Sequence, residues 1–241
     1  MTAPAIGLLI PAANRVMEPD FIRWTVPDGL LLHVNRLNAP KEKPADMSEN
    51  LAALTRGVPE AARLLALARP GVIAFGCTSG SFLHGPEWDE ELRQTLSRIA
   101  DGAPAVTTAS ALVRGLAALG ARRLAVISPY PAAVGEIMLR YLRAQGLDVV
   151  EAIHADDDWQ PGSMAAIEPA TVARLARGAA FDRADACLVS CTNLRAAEAL
   201  LQIEAETGKP VVASNQATYW ACLRALGRTE MLPALGRLGA C

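Results

Sequence analysis

The chain has 241 residues, a formal net charge of −2 and a hydrophobic share of 51%, with 20% of its residues charged. This composition is typical of a globular protein with a real core, and the length allows one large domain or two small lobes. Because Lys and Arg form no block, nucleic acid and anionic membrane surfaces are poor matches as partners. No apolar run reaches the roughly 18 residues that a membrane-spanning helix needs.

Short apolar runs recur along the chain and predict strands that are buried on both faces of a parallel sheet. The first run is preceded by no positive charge and ends at Pro11, so it is typical of a strand rather than of a signal peptide. The predicted strands are 6–10, 30–34, 71–75, 105–107, 124–127, 149–152, 186–189 and 211–213.

Apolar residues at helical spacing lie between these strands. The predicted helices are 50–68, 111–119, 136–144, 169–178, 195–207 and 217–226. Pro59 is expected to kink or divide the first of them. Strand and helix alternate, which predicts an α/β fold with helices on both faces of each sheet.

The two halves of the chain resemble each other in three places and in the same order. One pair is a strand stopped by proline, at 6–11 and again at 124–129. This repetition predicts two similar lobes with the ligand site between them, at the carboxyl ends of the strands. The expected N-terminal lobe is 1–112 plus 217–241 and the C-terminal lobe is 113–216, so that one helix crosses over and the last helix returns.

The sequence contains five cysteines, which are Cys77, Cys187, Cys191, Cys222 and Cys241. An odd number at irregular spacing predicts free thiols rather than a disulfide framework, which favours a reducing cytoplasm. The spacing provides no second ligand pair, so no metal site is predicted.

Cys77 and Cys191 stand in matching settings, each directly after an apolar run, in the segments GCTSGS (76–81) and SCTNLR (190–195). A helix that begins after a strand lowers the pKa of a thiol at its start, so each position is a setting in which a thiolate forms readily; which of the two is ionised at rest is left open. Free cysteine is also a common core residue, but two in the same setting favour a functional pair. The nearby donors for a substrate carboxylate are Thr78, Ser79, Thr192 and Asn193.

With these segments the chain resembles the aspartate/glutamate racemase superfamily, in the branch of maleate cis-trans isomerases and arylmalonate decarboxylases. The resemblance covers nearly the whole chain and rests also on GLLIPAAN (7–14) and SPY (128–130). It implies two pseudo-symmetric Rossmann-like lobes, each a mostly parallel sheet flanked by helices. It also implies that no cofactor is used and that the protein forms a homodimer.

The resemblance assigns roles to four positions. In the isomerases the first cysteine is the nucleophile and the second carries a proton, which match Cys77 and Cys191 here. An asparagine after the first strand and a tyrosine after the fifth bind substrate carboxylates, which match Asn14 and Tyr130. Arylmalonate decarboxylases keep only the second cysteine and carry glycines near position 193. This chain has both cysteines and an asparagine at position 193, which disfavours the decarboxylase interpretation.

Structural roles compete with some of these assignments. Asn14 could cap a first helix that begins near Met17, and Tyr130 could pack beside its neighbouring prolines. Ser128 is a further candidate donor to the substrate.

The hypothesis is therefore a cofactor-independent cis-trans isomerase of maleate or a related unsaturated dicarboxylate, acting by thiolate addition and proton donation from a second thiol. The alternatives are a two-cysteine racemase of amino acids or hydantoins, a decarboxylase of arylmalonate type, and a two-lobed protein that binds a small acid without turnover. The cysteine pair alone permits both isomerisation and racemisation.

Overall fold

The computed structural model describes residues 4–38, 47–154, 163–179 and 181–241, and these form two parallel four-stranded sheets flanked by helices. The first sheet contains β1 (Ala5–Pro11), β2 (Leu31–Leu37), β3 (Val72–Phe75) and β4 (Ala105–Thr107). The second contains β5 (Arg123–Ser128), β6 (Asp148–His154), β7 (Ala186–Val189) and β8 (Val211–Ala213). The predicted α/β fold of two similar lobes is confirmed.

The helices lie between and around these strands. They are α1 (Met17–Thr25), α2 (Met47–Arg56), α3 (Val58–Ala66), α4 (Thr78–Phe82), α5 (Pro86–Ile99), α6 (Thr108–Ala118), α7 (Ala132–Ala144), α8 (Pro169–Gly178), α9 (Ala196–Thr207) and α10 (Ser214–Ala225). The single helix predicted at 50–68 is divided, because Pro59 lies in the first turn of α3, where its missing N–H costs no hydrogen bond. In the described part of the chain no helix has the length and apolar character for a membrane crossing.

Both sheets have the same strand order, β2-β1-β3-β4 and β6-β5-β7-β8, and all pairs are parallel. The central strands β3 and β7 are buried along their whole length, whereas the edge strands β2 and β6 are mostly half-buried. From β1 the chain continues to β2 on one side of it, and from β3 it continues to β4 on the opposite side, so the strand order reverses between β1 and β3. In the second sheet the order reverses between β5 and β7. Ligands bind beyond the carboxyl ends of strands at such points of reversal. The candidate residues lie there, because they follow the ends of β1, β3, β5 and β7.

Two helices connect the sheets. Helices α6 and α10 pack against each other, and α10 also contacts β3 and β4 of the first sheet and β8 of the second. The contacts with β3 and β4 support the predicted return of the last helix to the first lobe. The lobe boundaries stay a prediction, since α6 likewise contacts strands of both sheets.

All five cysteines are free thiols, as the sequence predicts. Cys187 lies inside β7 and Cys222 inside α10, and both are fully buried, whereas Cys241 is exposed. Burial alone raises the pKa of Cys187 to about 12. These three cysteines are therefore set apart from Cys77 and Cys191, which follow the ends of central strands.

Candidate active site

Cys77 and Cys191 face one buried site. Cys77 follows β3 and directly precedes α4, and Cys191 follows β7; their exposed fractions are 4% and 5%. The two thiols are close enough that charge on Cys77 raises the pKa of Cys191, and charge on either one raises the pKa of Tyr130. The matching strand ends of the two lobes therefore bring their cysteines together.

Two glycines make room around Cys77. A Cβ on Gly76 would collide with Met17 Sδ, and a Cβ on Gly80 would lie 2.9 Å from Cys77 Sγ. The backbone N–H of Gly80 and the hydroxyl of Ser79, whose Oγ is 4.0 Å from Sγ, lower the pKa of Cys77. Burial has the larger effect, and the pKa of Cys77 is raised to about 11.

Cys191 is held by three hydrogen bonds. Its Sγ accepts from the backbone N–H of Asn193 at 3.3 Å and donates to Met164 Sδ at 3.4 Å. Its own backbone N–H donates to Ser214 Oγ at 3.0 Å. Burial raises the pKa of Cys191 to about 12, although the hydrogen bond from the Asn193 N–H and the nearby Tyr130 hydroxyl lower it.

The expected lowering of the thiol pKa by a helix start is wrong, since the pKa is raised at both positions. After Cys77 the helix α4 is only five residues long, so it has little dipole to offer. After Cys191 the chain makes a turn, and α9 begins only at Ala196. Removal from water disfavours the charged thiolate, and at both sites this desolvation outweighs the local donors.

Asn14 both caps a helix and joins the two lobes. Its Oδ1 accepts hydrogen bonds at 3.0 Å from two backbone N–H groups at the start of α1, as the capping interpretation predicts. Its Nδ2 donates to Thr192 Oγ1 at 3.0 Å. Next to it, the backbone N–H of Arg15 donates to Asn193 Oδ1 at 2.9 Å. The loop after β1 is thus fastened to the loop after Cys191.

Tyr130 ends in the site with a free hydroxyl. The residue is 1% exposed and its ring packs edge-on against Phe82, with centroids 5.9 Å apart. Burial and nearby charge on Cys191 raise its pKa well above the ordinary value, so it is a neutral donor. Its hydroxyl lies near Cys191, Ser190 and Thr78, but among the described residues none of these groups has the distance and angles of a hydrogen bond with it. An unpaired buried hydroxyl is costly, which favours a substrate oxygen as its missing partner.

Ser128 hydrogen-bonds to a residue that the site prediction did not include. It is fully buried, and its Oγ lies 2.9 Å from His154 Nδ1. Gly135 allows the imidazole to approach, since a Cβ there would lie 2.6 Å from His154 Cε1. The hydroxyl of Ser128 therefore already has a partner other than a substrate.

Three residues at the site were missed by the sequence-based prediction. Ser214 Oγ lies 2.9 Å from Thr78 Oγ1 and also accepts from Cys191. Ser190 is fully buried with a hydroxyl that has no partner within the described ranges, and Met164 contacts the Cys191 thiol. Ser214 follows the carboxyl end of β8, so the strand-end rule that identified the cysteines would have found it.

Charged and metal-binding groups do not account for the site. Arg195 directs its guanidinium at Glu198, at 2.8 Å, and Glu168, at 3.1 Å. Within the described ranges there is no cluster of His, Cys, Asp and Glu that could hold a metal ion. The groups that lower the pKa of the two thiols are neutral: the hydroxyls of Ser79 and Tyr130 and the backbone N–H groups of Gly80 and Asn193.

A family model described as arylmalonate decarboxylase matches residues 6–239. The chain is 28% identical to the maleate isomerase of Pseudomonas putida, over 97% of this chain and 96% of the relative. It is 30% identical to the arylmalonate decarboxylase of Bordetella bronchiseptica, over 98% and 97% respectively.

Solved structures of similar proteins have the same fold. A variant of the maleate isomerase from Pseudomonas putida S16 with maleate has a TM-score of 0.90, 26% identity and coverage of 99% of this chain and 98% of that one. A variant of the Nocardia farcinica maleate cis-trans isomerase, with a covalently bound succinylcysteine intermediate, has a TM-score of 0.88, 25% identity and the same coverage of 99% and 98%.

Proposed function

This chain belongs to the arylmalonate decarboxylase family, and from that premise we propose that it is a cis-trans isomerase of maleate or a closely related unsaturated dicarboxylate. The observation that carries the proposal is the pair of buried thiols, Cys77 and Cys191, that face one site from matching strand ends. The isomerases that it resembles include one that forms a succinylcysteine, which is the adduct expected from a thiol and maleate.

The proposed reaction begins with Cys77 as a thiolate. Its sulfur adds to one alkene carbon, and the electron pair of the double bond moves onto the other carbon and its carboxylate. The thiol of Cys191 donates its proton to that carbon, which gives a succinyl thioether on Cys77. The bond between the two carbons is now single and can rotate.

The second half of the cycle reverses these steps. The Cys191 thiolate takes the proton back, the double bond re-forms as the trans isomer, and Cys77 leaves as a thiolate. Protons and electrons balance over the cycle, so no oxidant or reductant is consumed. Each thiol ends in the state in which it began.

The environments of the two thiols favour this division of roles. Cys77 receives help from the Gly80 N–H and the Ser79 hydroxyl, both of which lower its pKa. For Cys191, the charge on Cys77 acts in the opposite direction and raises the pKa. Hydrogen bonding from the Asn193 N–H lowers the pKa of Cys191 as well, so the division of roles, with Cys77 as the thiolate and Cys191 as the proton donor, follows the resemblance and these local contacts together.

Neutral donors are proposed to hold the two carboxylates. The unpartnered hydroxyl of Tyr130 and the amide of Asn14, together with Thr78, Ser79, Thr192 and Asn193, are the proposed binding residues. Donors fixed before the reaction stabilise the charge that develops on the carboxylate during addition without having to reorganise.

The test is to incubate the purified protein with maleate and follow fumarate by proton NMR. We expect fumarate to form with no added cofactor. The same protein is given amino acids, hydantoins and arylmalonates in D₂O. Deuterium at the α-carbon without any maleate conversion would contradict the isomerase proposal and favour a racemase.

Decarboxylation is the second candidate, because the family model and a 30% identical relative both carry that name. The reaction must desolvate one carboxylate of a disubstituted malonate. Loss of carbon dioxide from an arylmalonate, with maleate left unchanged, would favour this candidate.

The rate is expected to rise with pH. Because burial raises the pKa of Cys77 to about 11, the thiolate fraction below that value grows about tenfold with each pH unit. We therefore expect kcat/KM for maleate to increase steadily between about pH 7 and pH 9. Initial rates in buffers of constant ionic strength measure the profile. A flat profile would contradict ionisation of Cys77 to solvent before addition.

We also propose a reducing compartment, the cytoplasm, and a homodimeric assembly. The free thiols, four of them buried, support the first proposal. The second rests on the resemblance to the racemase superfamily.

A further inference from the structure

We infer that Ser214 is a positioning residue that holds the two cysteine loops of the active site at a fixed distance. The inference rests on the proposed function, since it concerns the same site. Ser214 is the first residue of α10 and is fully buried. Its Oγ lies 2.9 Å from Thr78 Oγ1 and 3.0 Å from the backbone nitrogen of Cys191. One hydroxyl thus connects the residue after the first cysteine with the second cysteine itself.

The start of α10 is a rigid support for this hydroxyl. The backbone N–H of Ala213 donates to Gln216 Oε1 at 2.8 Å, and Gln216 Nε2 donates to the carbonyl of Leu235 at 2.6 Å. Asn215 Nδ2 donates to Asp20 Oδ2 of α1 at 2.8 Å. The residues on both sides of Ser214 are therefore fixed by hydrogen bonds, directly or through Gln216, to other parts of the fold. The Ser214 hydroxyl keeps its position when either cysteine loop moves.

Removal of the hydroxyl would affect Cys191 more than substrate binding. The backbone N–H of Cys191 would lose its acceptor inside the protein, and a buried donor without a partner is unfavourable. We expect the Cys191 loop to shift until that N–H finds another partner, which moves Sγ relative to the carbon that it protonates. Of the donors assigned to the carboxylates, Thr78 bonds to Ser214 and would lose this contact, whereas Asn14 and Tyr130 do not bond to Ser214 in the structure and keep their positions.

The prediction is a loss in kcat with little change in KM. Because a misplacement of about 1 Å can cost about a hundredfold, Ser214→Ala should lower kcat for maleate by about 10- to 100-fold. KM should stay within about threefold, since ground-state binding is largely kept. Ser214→Thr retains a hydroxyl and should recover much of the loss.

Thr218→Val is the matched control. Thr218 lies one turn further along α10, is equally buried, and bonds to the carbonyl of Ser214 at 2.7 Å and to Thr108 Oγ1 at 3.1 Å. This variant also loses a buried hydroxyl from α10, so it should lower the melting temperature and leave kcat unchanged. Equal losses of kcat in Ser214→Ala and Thr218→Val would indicate a general packing effect and overturn the inference.

A second measurement does not depend on turnover. Carbamidomethylation by iodoacetamide at fixed pH, followed by peptide mass spectrometry, reports how accessible Cys191 is. We expect Ser214→Ala to speed labelling at Cys191, with Cys187 as the internal reference. If the natural protein converts no maleate, the proposed function fails, while faster labelling still supports the positioning role.

Two further outcomes decide the inference. Full kcat and unchanged labelling in a folded Ser214→Ala variant would overturn it. If that variant does not fold, Ser214→Cys, which fills similar space with a weaker acceptor, replaces it and should show the same loss of kcat. The double variant with Thr78→Val should lose less than the product of the two single effects, because both changes break one shared contact.

Discussion

Replacement of Cys77 with alanine should lower kcat for the conversion of maleate to fumarate by about 10⁴-fold or more, as expected when a covalent nucleophile is removed. We expect no other described thiol to take over: Cys191 carries the proton in this mechanism, Cys187 and Cys222 are fully buried in β7 and α10, and Cys241 lies exposed at the last position. Fumarate formation followed by proton NMR measures the loss. Far-ultraviolet circular dichroism and the melting temperature show that the variant is folded.

Cys187→Ala is the control for this experiment. Cys187 is a buried free thiol with a pKa that burial also raises, but it lies within β7 and not at its end. The control variant should lose stability by about 1 kcal/mol, the expected cost of a small cavity, and keep its kcat. Substantial turnover by Cys77→Ala, at more than about one-tenth of the natural rate, would rule out addition of this thiol to the substrate.

The central strands could be predicted from the sequence because burial on both faces requires an unbroken run of apolar residues. Strands β3 and β7 are buried on both faces and are therefore continuous apolar runs. Helix α5 was missed because few of its residues face the core; only Asp89, Leu92 and Leu96 are buried over fourteen residues. Its remaining face is charged, so the apolar periodicity that identifies a helix is weak.

The part of the candidate site that directly follows the strands could be predicted from the sequence. Cys77, Cys191 and Asn14 follow central strands, and parallel strands bring their carboxyl ends to one edge. The partners of Ser214 could not be predicted, since Thr78 lies 136 residues away in the chain and in the other sheet's loop. The direction of the thiol pKa shifts could not be predicted either, because it depends on burial. Burial results from many tertiary contacts and has no local pattern in the sequence.

Replacement of Cys191 with serine should separate addition from elimination. Addition by Cys77 remains available in this variant, and solvent can slowly protonate the carbanion. Removal of the proton from the succinyl group then fails, because a serine hydroxyl is a far weaker acid than a thiol and its alkoxide is not accessible near neutral pH. We expect kcat to fall by about 10³-fold or more and a covalent adduct to accumulate on Cys77.

Intact mass spectrometry after incubation with maleate measures the adduct as a gain of one maleic acid, and peptide mapping locates it. The double variant Cys77→Ala, Cys191→Ser should gain nothing, which shows that the adduct needs Cys77. A two-base racemase forms no covalent intermediate, so the absence of an adduct together with deuterium exchange at an amino acid α-carbon would support that alternative. An adduct on Cys191 in the single variant Cys77→Ala would instead reverse the two roles.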